Sequence, residues 1–211
     1  MALLKLYAGR SRSQIFLGKE LYADFAVDRV YGGHFDYETG PWRFRLGYTE
    51  VESNTDFRGD VADTIEQYYF LDANKMLGEV FGFDRLKLYS VGATFDRGPV
   101  QLQAMWDTST TSSDGRIDSG FVSAGYRIGR MTPFVMYSQV ETSSKESSSE
   151  NNFKQSTWSV GTRYDMTTQI AFKTQVDRIH IERPGFLWRN VDPDWNGGWA
   201  TMVSLGLDFV F

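Results

Sequence analysis

Two histidines, His34 and His180, are the side chains best suited to acid–base catalysis near neutral pH. Asp36 follows His34 by two residues, so a hydrolase-type His–Asp arrangement can be drawn. The chain has no cysteine, which excludes thiol nucleophiles, thiolate metal sites and disulfides. It also has no serine nucleophile elbow, phosphate-binding glycine loop or HExxH zinc motif. The sequence therefore gives enzyme chemistry little support and implies no catalytic residues, cofactor or metal site.

Charged side chains at alternating positions offer a second kind of chemistry. In several stretches of about ten residues, apolar and polar residues alternate, and many charges fall on the polar parity. Charges gathered on one wet face can act on ions through their field, whereas charges paired with each other are locally neutral. Both interpretations stay open. The candidate residues are Arg43, Arg45, Arg127, Arg163, Lys173, Asp36, Asp96, Asp107 and Asp177.

The segment 53–84 combines acidic residues with an unusual number of apolar ones. A long loop with its own apolar content usually packs against another part of the protein and is often functional. We expect this segment to fold inward as a constriction; a lid or a contact with a neighbouring subunit is the alternative. Its acidic candidates are Asp56, Asp60, Asp63, Glu66 and Asp72.

The composition limits the class of protein that could position these residues. A length of 211 residues is consistent with a single domain, and the net charge of −5 argues against nucleic-acid binding. Aromatic residues make up 16% of the chain. No apolar stretch is long enough for a transmembrane helix, so any crossing of a membrane must rely on strands.

Alternation with a period of two residues indicates strands with one apolar face. At the C-terminal end, one parity carries Trp199, Thr201, Val203, Leu205, Leu207, Phe209 and Phe211. The same test predicts ten strands, at 3–10, 22–38, 41–51, 86–97, 99–108, 118–129, 132–142, 155–164, 168–179 and 199–211. Each match is weak, as is typical of transmembrane strands, but the matches agree with one another.

The connections between these strands alternate in length. Short turns are predicted at 39–41, 96–99, 129–132 and 165–168, where Gly, Pro, Asp and Thr favour tight hairpins. Longer polar segments are predicted at about 52–85, 109–117, 143–154 and 180–198. Short turns at one rim and long loops at the other are typical of an outer-membrane barrel. We therefore expect an all-β, antiparallel, up-and-down transmembrane β-barrel.

The closing segment Val203–Phe211, with its alternating apolar residues and final Phe, resembles the C-terminal strand of Gram-negative outer-membrane porins. The hairpins Val91–Trp106, Phe121–Val140 and Trp158–Val176 extend the resemblance over most of the chain. Porins of this kind typically have sixteen strands and often form trimers. We therefore expect residues 1–211 to form one barrel domain that lacks its N-terminal strands, with a true ten-stranded barrel as the alternative.

The resemblance implies a water-filled channel in the outer membrane that passes small hydrophilic solutes and ions. The charged candidates would then line the pore, and the acidic segment would narrow it. The implied partners are outer-membrane lipid and lipopolysaccharide, the solutes, and two further copies in a homotrimer. Two other functions stay open: an outer-membrane hydrolase that uses His34, and a small structural barrel without an open pore.

Overall fold

Each strand of this protein pairs antiparallel with the next one along the chain, in a single ten-stranded sheet. The computed structural model describes residues 1–18, 21–58, 85–112, 115–144, 153–183 and 197–209. No helix long and apolar enough to cross a membrane occurs in these ranges. The predicted all-β, up-and-down fold with ten strands is confirmed. The strands are β1 (Ala2–Gly18), β2 (Leu21–Thr39), β3 (Trp42–Arg58), β4 (Arg85–Arg97), β5 (Val100–Thr111), β6 (Gly115–Tyr126), β7 (Met131–Ser144), β8 (Lys154–Asp165), β9 (Ile170–Arg183) and β10 (Gly198–Phe209).

Tight turns join the strands at one end of the sheet. Gly40–Pro41 connects β2 to β3, and Gly98–Pro99 connects β4 to β5. Gly40 and Gly98 have φ values of 55° and 58°, and a positive φ at the first turn position is what a type II′ hairpin turn requires. The connections 127–130 and 166–169 lie at the same end. All four predicted turns are therefore confirmed.

The strands extend further than the alternation predicted. β1 continues to Gly18, where 3–10 was expected, and β3 continues to Arg58, where 41–51 was expected. Register shifts between Gly9 and Ser11 and between Val27 and Arg29 displace the alternation at these levels. A hairpin that projects into water also has no need of an apolar face, so its sequence loses the period-two signal.

The polar segments are likewise shorter than predicted. Thr110 pairs with Arg116, so strand pairing runs through most of the expected loop 109–117. β9 continues to Arg183 instead of ending near 179. Threonine and other β-branched residues favour strands even where they are polar, so polarity alone overestimates loop length.

The register divides the paired residues between two faces, because directly opposed residues of neighbouring strands point the same way. One row contains Arg43, Thr94, Gln103, Ser123, Met136, Ser159 and Asp177. A row on the other side contains Phe44, Ala93, Ala104, Val122, Tyr137, Trp158 and Arg178. We name these sides the polar face and the apolar face. The polar face encloses a cavity of about 1080 Å³, so the sheet curves toward it.

The sheet is open in the part of the chain that the structure describes. There, β1 pairs with β2 and β10 pairs with β9, and the two outer edges do not meet. The ten strands therefore form a curved wall, a partial barrel.

Close packing against Gly161, on the polar face of β8, gives a prediction about stability. A Cβ there would lie 2.5 Å from the Thr174 carbonyl oxygen and 2.5 Å from Cζ of Phe134. We expect Gly161→Ala to lower the free energy of unfolding by about 1–3 kcal/mol, the usual range for overpacking. Urea unfolding in lipid vesicles would measure it. Gly206→Ala is the matched control, because its nearest neighbour would be Lys173 Cβ at 3.8 Å. Equal losses in both variants would contradict the prediction.

Candidate functional site

The polar face brings the charged candidates together. The strand register places Arg43, Arg45, Arg163, Lys173, Asp36, Asp96, Asp107 and Asp177 on this face. Arg127 directly follows β6 and continues the same parity. The cavity is lined by Arg43, Asp96, Arg127, Arg163 and Lys173, together with polar residues such as Gln101, Gln103 and Ser123. A wall of this composition is suited to contact with water and hydrated solutes.

Two arginines on the polar face form bidentate ion pairs. Arg45 donates from Nε and Nη2 to the two oxygens of Asp36 at 2.6 and 2.8 Å, and Asp36 is buried. Arg127 donates from Nη1 and Nη2 to the oxygens of Asp96 at 2.7 and 2.6 Å, and also to the Gly98 carbonyl at 2.9 Å. A planar guanidinium matches both carboxylate oxygens, which fixes its orientation. The hydrogen bond to Asp96 also raises the pKa of Arg127.

The other three basic candidates are paired as well. Arg43 Nη2 lies 2.5 Å from Glu38 Oε1, and Arg163 Nε lies 2.7 Å from Asp165 Oδ1. Lys173 Nζ lies 2.5 Å from Asp208 Oδ2. A neighbouring carboxylate therefore neutralises each of the five basic candidates.

Glu38 and Asp165, the partners of Arg43 and Arg163, were not among the candidates predicted from the sequence. Glu38 and Arg43 are equally distant from the two-residue turn between β2 and β3, and such positions oppose each other in a hairpin. This symmetric spacing about the turn could have identified Glu38 as the partner of Arg43 from the sequence.

His34 and Asp36 share the polar face of β2, as the hydrolase hypothesis requires. His34 Nε2 lies 3.6 Å from Asp36 Oδ2, beyond a normal hydrogen bond. Both oxygens of Asp36 already accept from Arg45. The carboxylate is therefore oriented by a guanidinium, and among the residues that the structure describes His34 has no hydrogen-bonded carboxylate of the kind a catalytic dyad needs.

Asp177 and Ser159 oppose each other across β8 and β9, further from the tight turns. Their exposed fractions are 2% and 0%. Asp177 Oδ1 accepts from Gln175 Nε2 at 2.7 Å, while Asp177 Oδ2 and Ser159 Oγ have no hydrogen-bond partner among the described residues. Buried polar atoms are rarely left in this state.

The described residues include only the start of the acidic segment. Asp56 lies in β3, where its backbone pairs with that of Asp24, and so belongs to a strand. Asp60, Asp63, Glu66 and Asp72 lie outside the described residues. The constriction stays a prediction from the sequence.

The apolar face exposes large side chains to an extent that is unusual in a protein surrounded by water. Val122, Val160 and Leu205 are 55%, 63% and 71% exposed. Aromatic pairs flank this band: Trp42 contacts Phe95 near the tight turns, with ring centroids 4.9 Å apart, and Tyr137 contacts Trp158 with centroids 4.9 Å apart nearer the other rim. An apolar band between aromatic girdles matches the hydrocarbon layer of a membrane.

Arg178 is a charged residue on the apolar face, opposite Trp158 and toward the rim that lies away from the tight turns. Its guanidinium carbon lies 5.0 Å from the Trp199 ring, and Nη1 donates to Thr201 Oγ1 at 2.8 Å. His180 stacks on the ring of Trp199, with the two ring centroids 4.5 Å apart. No carboxylate pairs with Arg178 among the described residues. Arg178 was not among the candidates predicted from the sequence, although it continues the parity of Ile170, Phe172, Thr174 and Val176, which was the available signal.

Solved structures with the same fold are known. An anion-selective porin from Comamonas acidovorans superposes with a TM-score of 0.61 at 14% identity, covering 98% of this chain and 59% of that one. The outer membrane channel DcaP of Acinetobacter baumannii gives 0.58 at 9% identity, with coverages of 96% and 62%. The outer membrane protein OmpT of Vibrio cholerae, described as a trimer form, gives 0.56 at 7% identity, with coverages of 98% and 64%. This chain thus spans about three fifths of their length.

A search of curated proteins finds no match. A family model described as Gram-negative porin, however, matches residues 7–183, which is most of the chain. The match agrees with the antiparallel sheet, the alternating faces and the aromatic girdles. The chain belongs to the Gram-negative porin family and is a protein of the bacterial outer membrane.

Proposed function

We propose that this chain forms the wall of a water-filled channel for passive diffusion of small hydrophilic solutes and ions. The observation that supports it is the separation of the two faces: the nine charged candidates share the concave side, and the most exposed aliphatic residues of the central strands, such as Val122, Val160 and Leu205, share the other. A channel needs a polar lining and a lipid-facing exterior in the same strands. No cofactor has a role in such transport.

We propose that residues 1–211 form a single barrel domain whose ten strands belong to a larger barrel of about sixteen. Backbone groups at an open strand edge cannot be hydrated in lipid, and each one left unpaired costs several kcal/mol. Further strands between the edges of β1 and β10 would pair those groups. The greater length of the structurally similar porins supports the same proposal.

Conductance in planar lipid bilayers tests the channel. We expect the complete barrel, including the strands proposed to pair the edges of β1 and β10, to produce discrete, stepwise conductance increments after insertion. Folding should first be established by heat-modifiable electrophoretic mobility, so that a lack of channels is not caused by misfolding. Folded protein that inserts without any conductance would overturn the proposal and favour a structural barrel.

We further propose that the chain has no hydrolytic role. Asp36 pairs with Arg45 at 2.6 and 2.8 Å, and His34 has no hydrogen-bonded carboxylate within the described ranges. We therefore expect neither the wild type nor His34→Ala to hydrolyse peptides or phospholipids. Peptide or phospholipid hydrolysis that is present in the wild type and lost in this variant would contradict the proposal.

The proposed partners are outer-membrane lipid, lipopolysaccharide and two further copies of the chain. The similar Vibrio protein, described as a trimer form, supports the homotrimer. For the lipid, the support is Arg178, a basic group on the lipid-facing side whose described contacts are a hydroxyl and an aromatic ring. A phosphate in the outer leaflet would supply the missing anion.

Arg178→Ala is accordingly expected to reduce the lipopolysaccharide retained through purification by at least about fivefold, the effect of roughly 1 kcal/mol. Arg116 is the matched control, since it already donates to both oxygens of Asp118 at 2.7 and 2.9 Å. Quantification of bound lipid A phosphate makes the comparison. Similar losses from Arg178→Ala and Arg116→Ala would count against a specific contact.

A further inference from the structure

The charges of the polar face are distributed unevenly along the strands. Near the tight turns, each of five basic side chains lies beside its own carboxylate. These pairs are Arg43–Glu38, Arg45–Asp36, Arg127–Asp96, Arg163–Asp165 and Lys173–Asp208. The part of the wall near the turns is therefore close to neutral, although it contains the most charge.

Asp107 and Asp177 lie further up the wall and are not neutralised in this way. Each is seven residues from the turn-side start of its strand, about 23 Å along the backbone. Neither forms an ion pair with any described residue. Lys5 is also unpaired on this face in the described part, but it lies on edge strand β1, far across the sheet from β5 and β9.

The surroundings of Asp107 are rich in neutral oxygen atoms. A second cavity of about 250 Å³ lies on this part of the wall, and Asp107, Ser119, Ser138, Gln155 and Thr157 contribute to its lining. Hydroxyl, amide and carboxylate oxygens are the ligands that small hard cations prefer. No basic side chain lines this second cavity among the described residues.

The pair Asp177 and Ser159 indicates a specific binding position for a cation, in addition to a general negative field. Both side chains are almost completely buried, and in the described part of the chain neither Asp177 Oδ2 nor Ser159 Oγ has a hydrogen-bond partner. Gln175 holds the other oxygen of Asp177 at 2.7 Å, which fixes the orientation of the carboxylate. Two unpaired acceptors on opposed residues would both be satisfied by one cation between them.

We propose that the channel prefers small inorganic cations such as K⁺ and that Asp177 Oδ2 and Ser159 Oγ form a binding step for them on its wall. This inference rests on the proposed channel function. Binding at such a step is weak enough to release the ion, because one carboxylate and one hydroxyl supply only part of a coordination shell.

Reversal potentials across a tenfold KCl gradient test the selectivity. We expect the wild-type channel to be cation-selective and Asp177→Asn, which keeps the shape of the side chain, to lower the K⁺/Cl⁻ permeability ratio at least about twofold. A wild-type channel that selects anions, or an Asp177→Asn variant with an unchanged ratio, would overturn the proposal.

The dependence of conductance on KCl concentration tests the binding step itself. The conductance of the wild type should saturate as the KCl concentration rises. The conductance of Asp177→Asn and of Ser159→Ala should rise more nearly linearly. Asp107→Asn is the matched control: it removes a charge from the same wall and should change selectivity while keeping the saturation. Loss of saturation in all three variants, or in none of them, would refute a local site.

Binding of Tl⁺, a K⁺ analogue observed by thallium NMR in detergent, separates the two proposals. Tl⁺ binding that depends on Asp177 in a non-conducting protein would leave the site standing and reject the channel. Conductance without saturation and without Tl⁺ binding would leave the channel standing and reject the site.

Discussion

An arginine in place of Leu205 is expected to destabilise the membrane-inserted protein by about 2–4 kcal/mol, the cost of this substitution on the lipid face at the bilayer midplane. Leu205 lies midway along β10, on the apolar face, and is 71% exposed. Its side chain has lipid as its surroundings, so a guanidinium there must either lose its hydration or draw water into the hydrocarbon layer. Urea unfolding in lipid vesicles would give the free energy, and heat-modifiable mobility would give the folded fraction.

Ser204→Arg provides the matched control at the neighbouring position. Ser204 opposes Gln175 on the polar face, so its replacement would point into water. We expect a free energy of unfolding close to that of the wild type. If the two arginine variants lost the same stability, the assignment of the two faces would be wrong for β10.

A thiol at position 123 is expected to react with a charged, water-soluble methanethiosulfonate at least about tenfold faster than a thiol at position 122. The chain contains no cysteine, so Ser123→Cys and Val122→Cys each introduce a single thiol. Ser123 lines the large cavity, whereas Val122 is 55% exposed on the apolar face. Thiolate is the reactive species, and apolar surroundings raise the thiol pKa, so each unit of difference changes the reactive fraction tenfold.

Labelling rates in intact lipid vesicles would measure the difference, and the two variants control for each other because the positions are adjacent in β6. Labelling at position 123 should also reduce single-channel conductance, since the added group occupies part of the lining. Equal labelling rates at the two positions would reject the proposal that the polar face lines an aqueous lumen.

The strand order and the two faces could be predicted from the sequence because both depend on local patterns. Alternation at residues such as Trp42, Phe44 and Leu46 reports the lipid face directly. Gly and Pro at 40–41 and 98–99 mark the turns, because a positive φ is tolerated by glycine. Strict alternation of short and long connections then leaves one possible direction for each strand.

Features that depend on contacts between strands were harder to predict. In β1 and β3 the alternation is displaced at the register shifts between Gly9 and Ser11 and opposite Val27 and Arg29, near which the predicted strands ended. The partners of Arg127 and Lys173 are 31 and 35 residues distant in the sequence, on strands whose register must be known first. For the same reason the opposition of Ser159 and Asp177 became visible only in the folded sheet.

The pairing of each strand with its successor affects how the wall can assemble. Glu38 and Arg43, like Asp36 and Arg45, belong to the single hairpin formed by β2 and β3. This hairpin can neutralise its own charges before it meets the rest of the sheet. Contacts that are local in sequence also form with little loss of chain entropy. The β2–β3 hairpin can therefore form with its polar face already neutralised, whereas the pairs of Arg127 and Lys173 form only when later strands are added to the sheet.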